Sequence, residues 1–239
     1  RLERFGVPSY AGTTRVVNGH PVWTGRVNRA TNAQMQKPLK IAAPALIFVN
    51  SMSDFWHESA RDEWRAEALA VMRSCQRHRF QILTKRPENI APILERMGEE
   101  IPDNVWLGAT VEDSRVTHRI ATLRSVKARV RFISAEPLIG SVGQLDLDGI
   151  HQVITGGESG PGARPCRAEW VREIRDQCVA ARVPLFHKQW GQPRNNPLWN
   201  FAPQGVAPYA WVAQNDPVGK GGSKVDGREW KEYPRELKP

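Results

Sequence analysis

Cysteine is scarce in this chain and never clustered. Cys75, Cys166 and Cys178 stand far apart, and no CxxC pair occurs. That spacing excludes a disulfide-stapled scaffold and offers no zinc or dithiol redox motif. Cys75 and Cys178 fall in helix-like stretches and read as packing residues. Cys166 follows a glycine- and proline-rich loop and is expected to be the exposed one. Long hydrophobic runs are missing too. No apolar run approaches a membrane span, and Arg1-Leu2-Glu3-Arg4 does not read as a signal peptide. A protein without a membrane partner, in a reducing cytoplasm, is expected. There is no Walker A motif, and the glycine-rich run Gly156 to Gly162 lacks dinucleotide-binding spacing.

Acidic residues are also outnumbered. The 239 residues hold 25 Asp and Glu against 34 Lys and Arg, a formal charge of +9 and a pI near 9.9. This balance favours a polyanionic partner, either nucleic acid or a phosphorylated ligand. The simpler reading, a basic surface that aids solubility, stays open beside it.

What is present is a recurring unit. A short apolar run ends in polar, charged or glycine residues, and a connecting stretch, usually helix-like, follows. The runs are Leu46–Val49, Phe80–Leu83, Val105–Gly108, Val130–Ile133, Gln152–Ile154 and Val183–Phe186. Nearly continuous apolar runs alternating with helices read as buried parallel strands. Helices are expected over Ala60 to His78, after Pro87, from about Asp113-Ser114, and over Ala168 to Ala181. The stretch with Gly140, Gly143 and Gly149 reads as a loop. In a parallel α/β fold the C-terminal strand ends open on one face, so the polar clusters are expected to line one site. The fold class is α/β, an incomplete (β/α) barrel of parallel strands.

Residues 1–44 read as an irregular basic arm, with Arg1, Arg4, Arg15, Arg26 and Arg29 and one short helix around Asn32 to Gln36. Residues 45–191 are the barrel core. Residues 192–239 form a C-terminal extension, rich in proline at first, that packs on the core; Asp226-Gly227 reads as a turn leading to a final short strand.

Several strand-end clusters carry residues suited to chemistry. Asp54 and His57, in Asn50-Ser51-Met52-Ser53-Asp54-Phe55-Trp56-His57, are candidates for proton transfer. A helix cap at Asp54 and a structural histidine are the plainer readings. Glu112, Asp113 and Glu136 supply further carboxylates. Lys85, Arg86, Arg164 and Lys188 are the candidates for gripping a phosphate or carboxylate. Carboxylates facing cations equally describe a structural salt-bridge network. Gly156-Gly157-Glu158-Ser159, with Asn50 and Ser51, is the candidate cofactor side, because glycines admit close backbone approach. A tight turn that needs glycine is the alternative. No metal ligand set is visible.

The segments FVNSMSDFWHE, QILTKRPE, VWLGATVED, VRFISAEPLIG, VITGGESGPGARP, FHKQWG and DGREWKEYP, in this order, resemble a phage- and bacteria-associated protein family of unassigned function. The resemblance covers nearly the whole chain. Members of that family look like distant relatives of radical S-adenosylmethionine enzymes. They typically carry three closely spaced cysteines upstream of the part that matches Arg1 to Gly12, implied to hold a [4Fe-4S] cluster with one open iron site. The resemblance therefore implies S-adenosylmethionine and a [4Fe-4S] cluster as cofactors. This chain has no such triad, so as it stands it is expected to hold no cluster. The familiar Gly-Gly-Glu of radical enzymes follows the second strand, whereas Gly156-Gly157-Glu158 follows a late one.

Three functions compete. The first is a radical S-adenosylmethionine-type enzyme acting on nucleic acid or a nucleotide-like substrate. The second is a metal-dependent hydrolase or nuclease using Asp54, Glu112, Glu136 and His57. The third is a noncatalytic nucleic-acid-binding protein. The sequence fixes neither the substrate nor the oligomeric state.

Overall fold

The computed structural model describes residues 8–234. Arg1 and Arg4 of the basic arm therefore lie outside the described residues. The chain has an α/β fold. Its main sheet has six strands hydrogen-bonded in chain order. They are β3 (Leu46–Val49), β4 (Arg79–Thr84), β5 (Val105–Thr110), β6 (Val130–Ala135), β7 (Gln152–Gly156) and β8 (Leu185–Gln189). Each of the six apolar runs read from the sequence falls on one of these strands, although the last, Val183–Phe186, begins two residues ahead of β8, and β3–β4, β6–β7 and β7–β8 pair in parallel. The described residues divide into two compact units, one running to Trp106 and including Val126–Arg129, the other comprising Leu107–Ser125 and the chain from Val130 onward.

The first unit opens with a hairpin, β1 (Thr14–Val17) and β2 (His20–Trp23). This corrects the expectation of an irregular arm. Asn18 and Gly19 both sit at positive φ, 50° and 78°, the geometry that an Asn-Gly hairpin turn demands. The short helix α1 (Asn32–Met35) follows behind a capping box made by Thr31 and Gln34.

Helix α2 (Asp62–Ser74) is narrower than the expected Ala60 to His78. It buries Arg65, Leu69 and Met72, spaced to share one face. Arg65 tolerates that burial because its guanidinium donates to the carbonyls of Phe55, Ala60 and His57 and to Asp62. Beyond the helix end, Asn104 Nδ2 donates to the carbonyls of Met72, Cys75 and His78. Helix α3 (Ile90–Met97) follows the turn at Pro87 and stops at Gly98, whose φ of 62° makes it a left-handed cap.

The second unit carries α4 (His118–Arg124) and α5 (Ala168–Ala181). A 3-10 turn, Ser114–Val116, capped by Asp113, precedes α4. Helix α5 matches its sequence expectation and buries Val171, Ile174 and Cys178. Cys166, expected to be exposed, is only 2% exposed. Its burial pushes the thiol up to about 12, so proximity to a polar loop was no guide to its environment. Between β6 and β7 the chain runs as a loop, as its glycines suggested.

The C-terminal segment is hydrogen-bonded to β8. Trp190 Nε1 donates to the Lys224 carbonyl at 3.0 Å, and His187 N to the Trp230 carbonyl at 2.8 Å. It contains α6 (Pro208–Asn215) and a hairpin, β9 (Lys224–Val225) and β10 (Arg228–Glu229). Asp226 in the hairpin turn takes ion pairs from Arg172 and Arg175 of α5. These hold its carboxyl down at about 2. No helix among the described residues is long and apolar enough to cross a membrane.

Candidate functional site

In the first unit, the polar residues after β3 and β4 converge on one carboxylate. Asp54 accepts from Thr84 Oγ1 at 2.7 and 2.9 Å, from the backbone N–H of Trp56 at 3.0 Å and of Lys85 at 3.1 Å, and from Arg86 Nη1 at 3.3 Å. Arg86 also pairs with Glu58 at 3.1 Å. Asp54 thus joins the loop after β3 to the end of β4. The Asp54–Thr84 bond spans thirty residues, which is why no local pattern announced it. His57 points elsewhere. Its Nδ1 accepts from Ser59 N at 3.1 Å, and its Nε2 lies 3.8 Å from Glu58. Asn50 takes a left-handed conformation, φ 59°, in a turn that also contains the exposed Ser51. If Asp54 is chiefly a joint between strand ends, Asp54→Ala should lower unfolding stability by about 2 kcal/mol through its lost charge-assisted bonds. Chemical denaturation checks this. Unchanged stability would free Asp54 for proton transfer.

In the second unit, β6, β7 and β8 bring a carboxylate, an ammonium and an amide together. Glu136, just past β6, accepts from Lys188 Nζ at 3.0 Å and from Gln189 Nε2 at 3.3 Å. The cause is an irregularity in strand pairing. Thr155 pairs with His187, but Gly156 pairs with Gln189, so Lys188 is the extra residue of a bulge. A bulge of this kind re-aims a side chain, and here it leaves Lys188 exposed beside Glu136. Gly156 gives Glu136 its room, for a Cβ there would lie 3.0 Å from the Glu136 carboxyl carbon. Gln189 Oε1 is buried without a partner among the described residues. Sequence reading named Glu136 and Lys188 but missed Gln189, since a bulge leaves no mark in an apolar–polar pattern.

Glu158 and Arg164 are partners. Arg164 Nε and Nη2 grip the carboxylate at 2.8 and 2.9 Å, and the backbone N–H of Arg164 adds a third bond at 2.8 Å. The carboxyl is held down at about 2 by these bonds. Ser159 is exposed in the same loop. Glu112 pairs with Arg119 at 2.9 Å, and Asp113 with Arg115 at 2.5 Å. Those Arg115 bonds depress the Asp113 carboxyl below the usual carboxylate range. Arg115 and Arg119 did not figure in the sequence reading.

Each unit therefore builds a polar surface after its strands, with carboxylates and cations already engaged. Residues 6–234 match the model of a family described as a protein of unknown function, DUF5131. The chain belongs to that family. No curated protein and no solved structure matches it at a significant level. For this family member, the described residues do not fit an iron–sulfur cluster. All three cysteines are buried, burial holds the Cys166 and Cys178 thiols up at about 12, and cluster ligation requires thiolates. No group of three or more His, Cys, Asp or Glu side chains suited to a metal occurs among the described residues. Nor does the Gly156–Glu158 turn present an open cradle. The space beside Gly157 is filled by the Trp190 carbonyl, and both Glu158 oxygens are held by Arg164.

Proposed function

We propose that this chain is the body of a radical S-adenosylmethionine-type enzyme that acts on nucleic acid or a nucleotide-like substrate. The observation that carries the reading is the placement of motifs. The sheet runs in chain order, and polar residues follow its strands at their C-terminal ends, where α/β enzymes build their sites. The resemblance of the same segments to radical-enzyme relatives supplies the class. The Glu136–Lys188 pair, aimed by a bulge, is the best-formed constellation for meeting a substrate. Lys188 meets an anionic group, and Glu136 together with Gln189 meets N–H donors. The residues of this chain would orient the substrate and exclude water.

The test has two arms. Anaerobic treatment of residues 1–239 with iron and sulfide should leave no broad visible absorption after desalting, because the buried cysteines are out of reach. Calorimetry should then show binding of S-adenosylmethionine or a nucleotide that is weakened about ten-fold or more by Lys188→Ala. Binding of neither ligand would overturn the reading. Nucleic-acid binding without either would leave the noncatalytic alternative standing.

A further inference from the structure

Between Glu3 and Asp54 the chain contains no aspartate or glutamate, yet Arg4, Arg15, Arg26, Arg29, Lys37 and Lys40 fall in that stretch. Arg29 is neutralised by Glu67 at 2.5 Å. The Arg26 guanidinium donates to the neutral Asn28 Oδ1 at 3.0 Å and has no acidic partner among the described residues. Arg15, Lys37 and Lys40 have no acidic partner among the described residues. Much of the net positive charge is thus unbalanced over one segment of the first unit, and that segment carries the β1–β2 ribbon.

The ribbon exposes aromatic and apolar surface. Thr14 stands opposite Trp23 and Arg15 opposite Val22. Thr14, Val16 and Trp23 therefore share one face, and Arg15, Val17, His20 and Val22 share the other. Trp23 is 60% exposed and Val16 69%. The ribbon is closed at its base by bonds within residues 11–28. Thr24 N donates to the Thr13 carbonyl at 2.9 Å, Thr24 Oγ1 to the Gly12 carbonyl at 2.8 Å, and Asn28 Nδ2 to the Ala11 carbonyl at 2.7 Å. An indole has only two side-chain torsions, so ordering it costs little conformational entropy when something stacks on it. Arg15 lies on the opposite face of this thin ribbon, so a ligand that meets both the indole and the cation is a flexible chain that crosses the ribbon's edge, with flat rings and negative charge in alternation.

We propose that the β1–β2 ribbon is a contact for single-stranded nucleic acid, with Trp23 stacking on an unpaired base and Arg15 pairing with phosphate. The occupant is single-stranded because a base offers its face to a side chain only when it is not stacked in a duplex. Lys37 and Lys40 add to the positive charge of the same unit. The inference rests on the nucleic-acid reading above and assigns that reading a surface.

The test is fluorescence anisotropy with labelled oligothymidylate and oligouridylate on the whole chain. Trp23→Leu, which keeps apolar bulk but loses the ring, should weaken binding about ten-fold or more. Trp23→Phe should bind within a few-fold of the parent. Arg15→Ala should reduce the slope of log affinity on log salt by about 0.7. Lys127→Ala removes the same charge from another exposed side chain and should leave the slope nearly unchanged. The proposal is overturned if Trp23→Leu binds like the parent, or if Arg15→Ala and Lys127→Ala are indistinguishable. It is equally overturned if the ribbon variants alter self-association in sedimentation while oligonucleotide binding persists. Should the parent bind neither oligonucleotide, the nucleic-acid substrate proposed above fails as well. Should it bind while the ribbon variants bind equally, only the ribbon fails.

Discussion

Gly157→Ala should lower unfolding stability by about 3 kcal/mol or more, because the new methyl group would meet backbone rather than a yielding side chain. Its Cβ would lie 2.1 Å from the Trp190 carbonyl oxygen and 2.6 Å from the carbonyl carbon. The same crossing recurs from the other side, where a Cβ on Gly191 would lie 2.1 Å from the Glu158 carbonyl oxygen. The chain after β7 and the chain after β8 thus pass in direct contact, locked by a bond from Gly157 N to the Gln189 carbonyl at 2.9 Å. Neither can retreat without breaking that bond. For a chain of this size the expected fall in Tm is roughly 6–12 °C. Gly156→Ala is the informative contrast. Its nearest neighbour is the end of the Glu136 side chain, at 3.0 Å, which can swing away. Gly156→Ala should therefore cost only about 1 kcal/mol while separating Glu136 from Lys188. Thermal melts of the two variants side by side check the prediction. If Gly157→Ala melts with the parent, the strand-end crossing is looser than described, and close approach of a ligand again becomes the reason for the glycine.

That pair of glycines shows where sequence reading stops. Apolar runs bounded by polar residues located β3 to β8, and apolar Trp170, Val171, Ile174 and Val179 outlined α5, of which Val171 and Ile174 are buried and Val179 is exposed, because burial writes itself only partly into local periodicity. The Asp226-Gly227 turn was legible for a similar reason, since few residues accept positive φ. Asn18-Gly19 carried the same signal, but the strands it joins are mostly exposed, so no apolar alternation supported it. The site was legible as residue types and not as partners. Asp54 with Thr84, Glu136 with Lys188 and Glu158 with Arg164 are matched by tertiary geometry. Gly157 looked like an opening for a ligand and is instead an opening for the protein's own backbone. Arg65, a charge in the first turns of a helix, gives no sign in the sequence of the burial it undergoes against the carbonyls of Phe55 and Ala60.

Acid should destabilise the chain in a window set by one buried imidazole. His187 is fully buried on β8, with Nδ1 2.9 Å from Thr155 Oγ1, its ring 4.6 Å from that of Trp190, and no partner for Nε2 among the described residues. Burial, with Lys231 adding repulsion, depresses its pKa to about 3. The unfolded chain binds a proton on this histidine near pH 6.5, while the folded chain resists until about 3. Stability is therefore complete above pH 6.5 and falls as pH drops below it, by about 1.4 kcal/mol per pH unit. Carboxylates held down by ion pairs, Glu158 and Asp226 at about 2, act with the same sign at lower pH. They add stability above their unfolded values and lose it as pH falls toward 2. The interval from pH 6.5 to about 4.5 thus belongs to His187 rather than to them. Denaturant titrations at stepped pH should show that slope. His187→Phe keeps a ring against Trp190 and removes the titration. It should cost about 1 kcal/mol at neutral pH, from the lost bond to Thr155, and leave stability nearly flat down to pH 4.5. A slope that survives in His187→Phe would mean that another group carries the acid sensitivity, and that His187 reaches a proton in the folded chain.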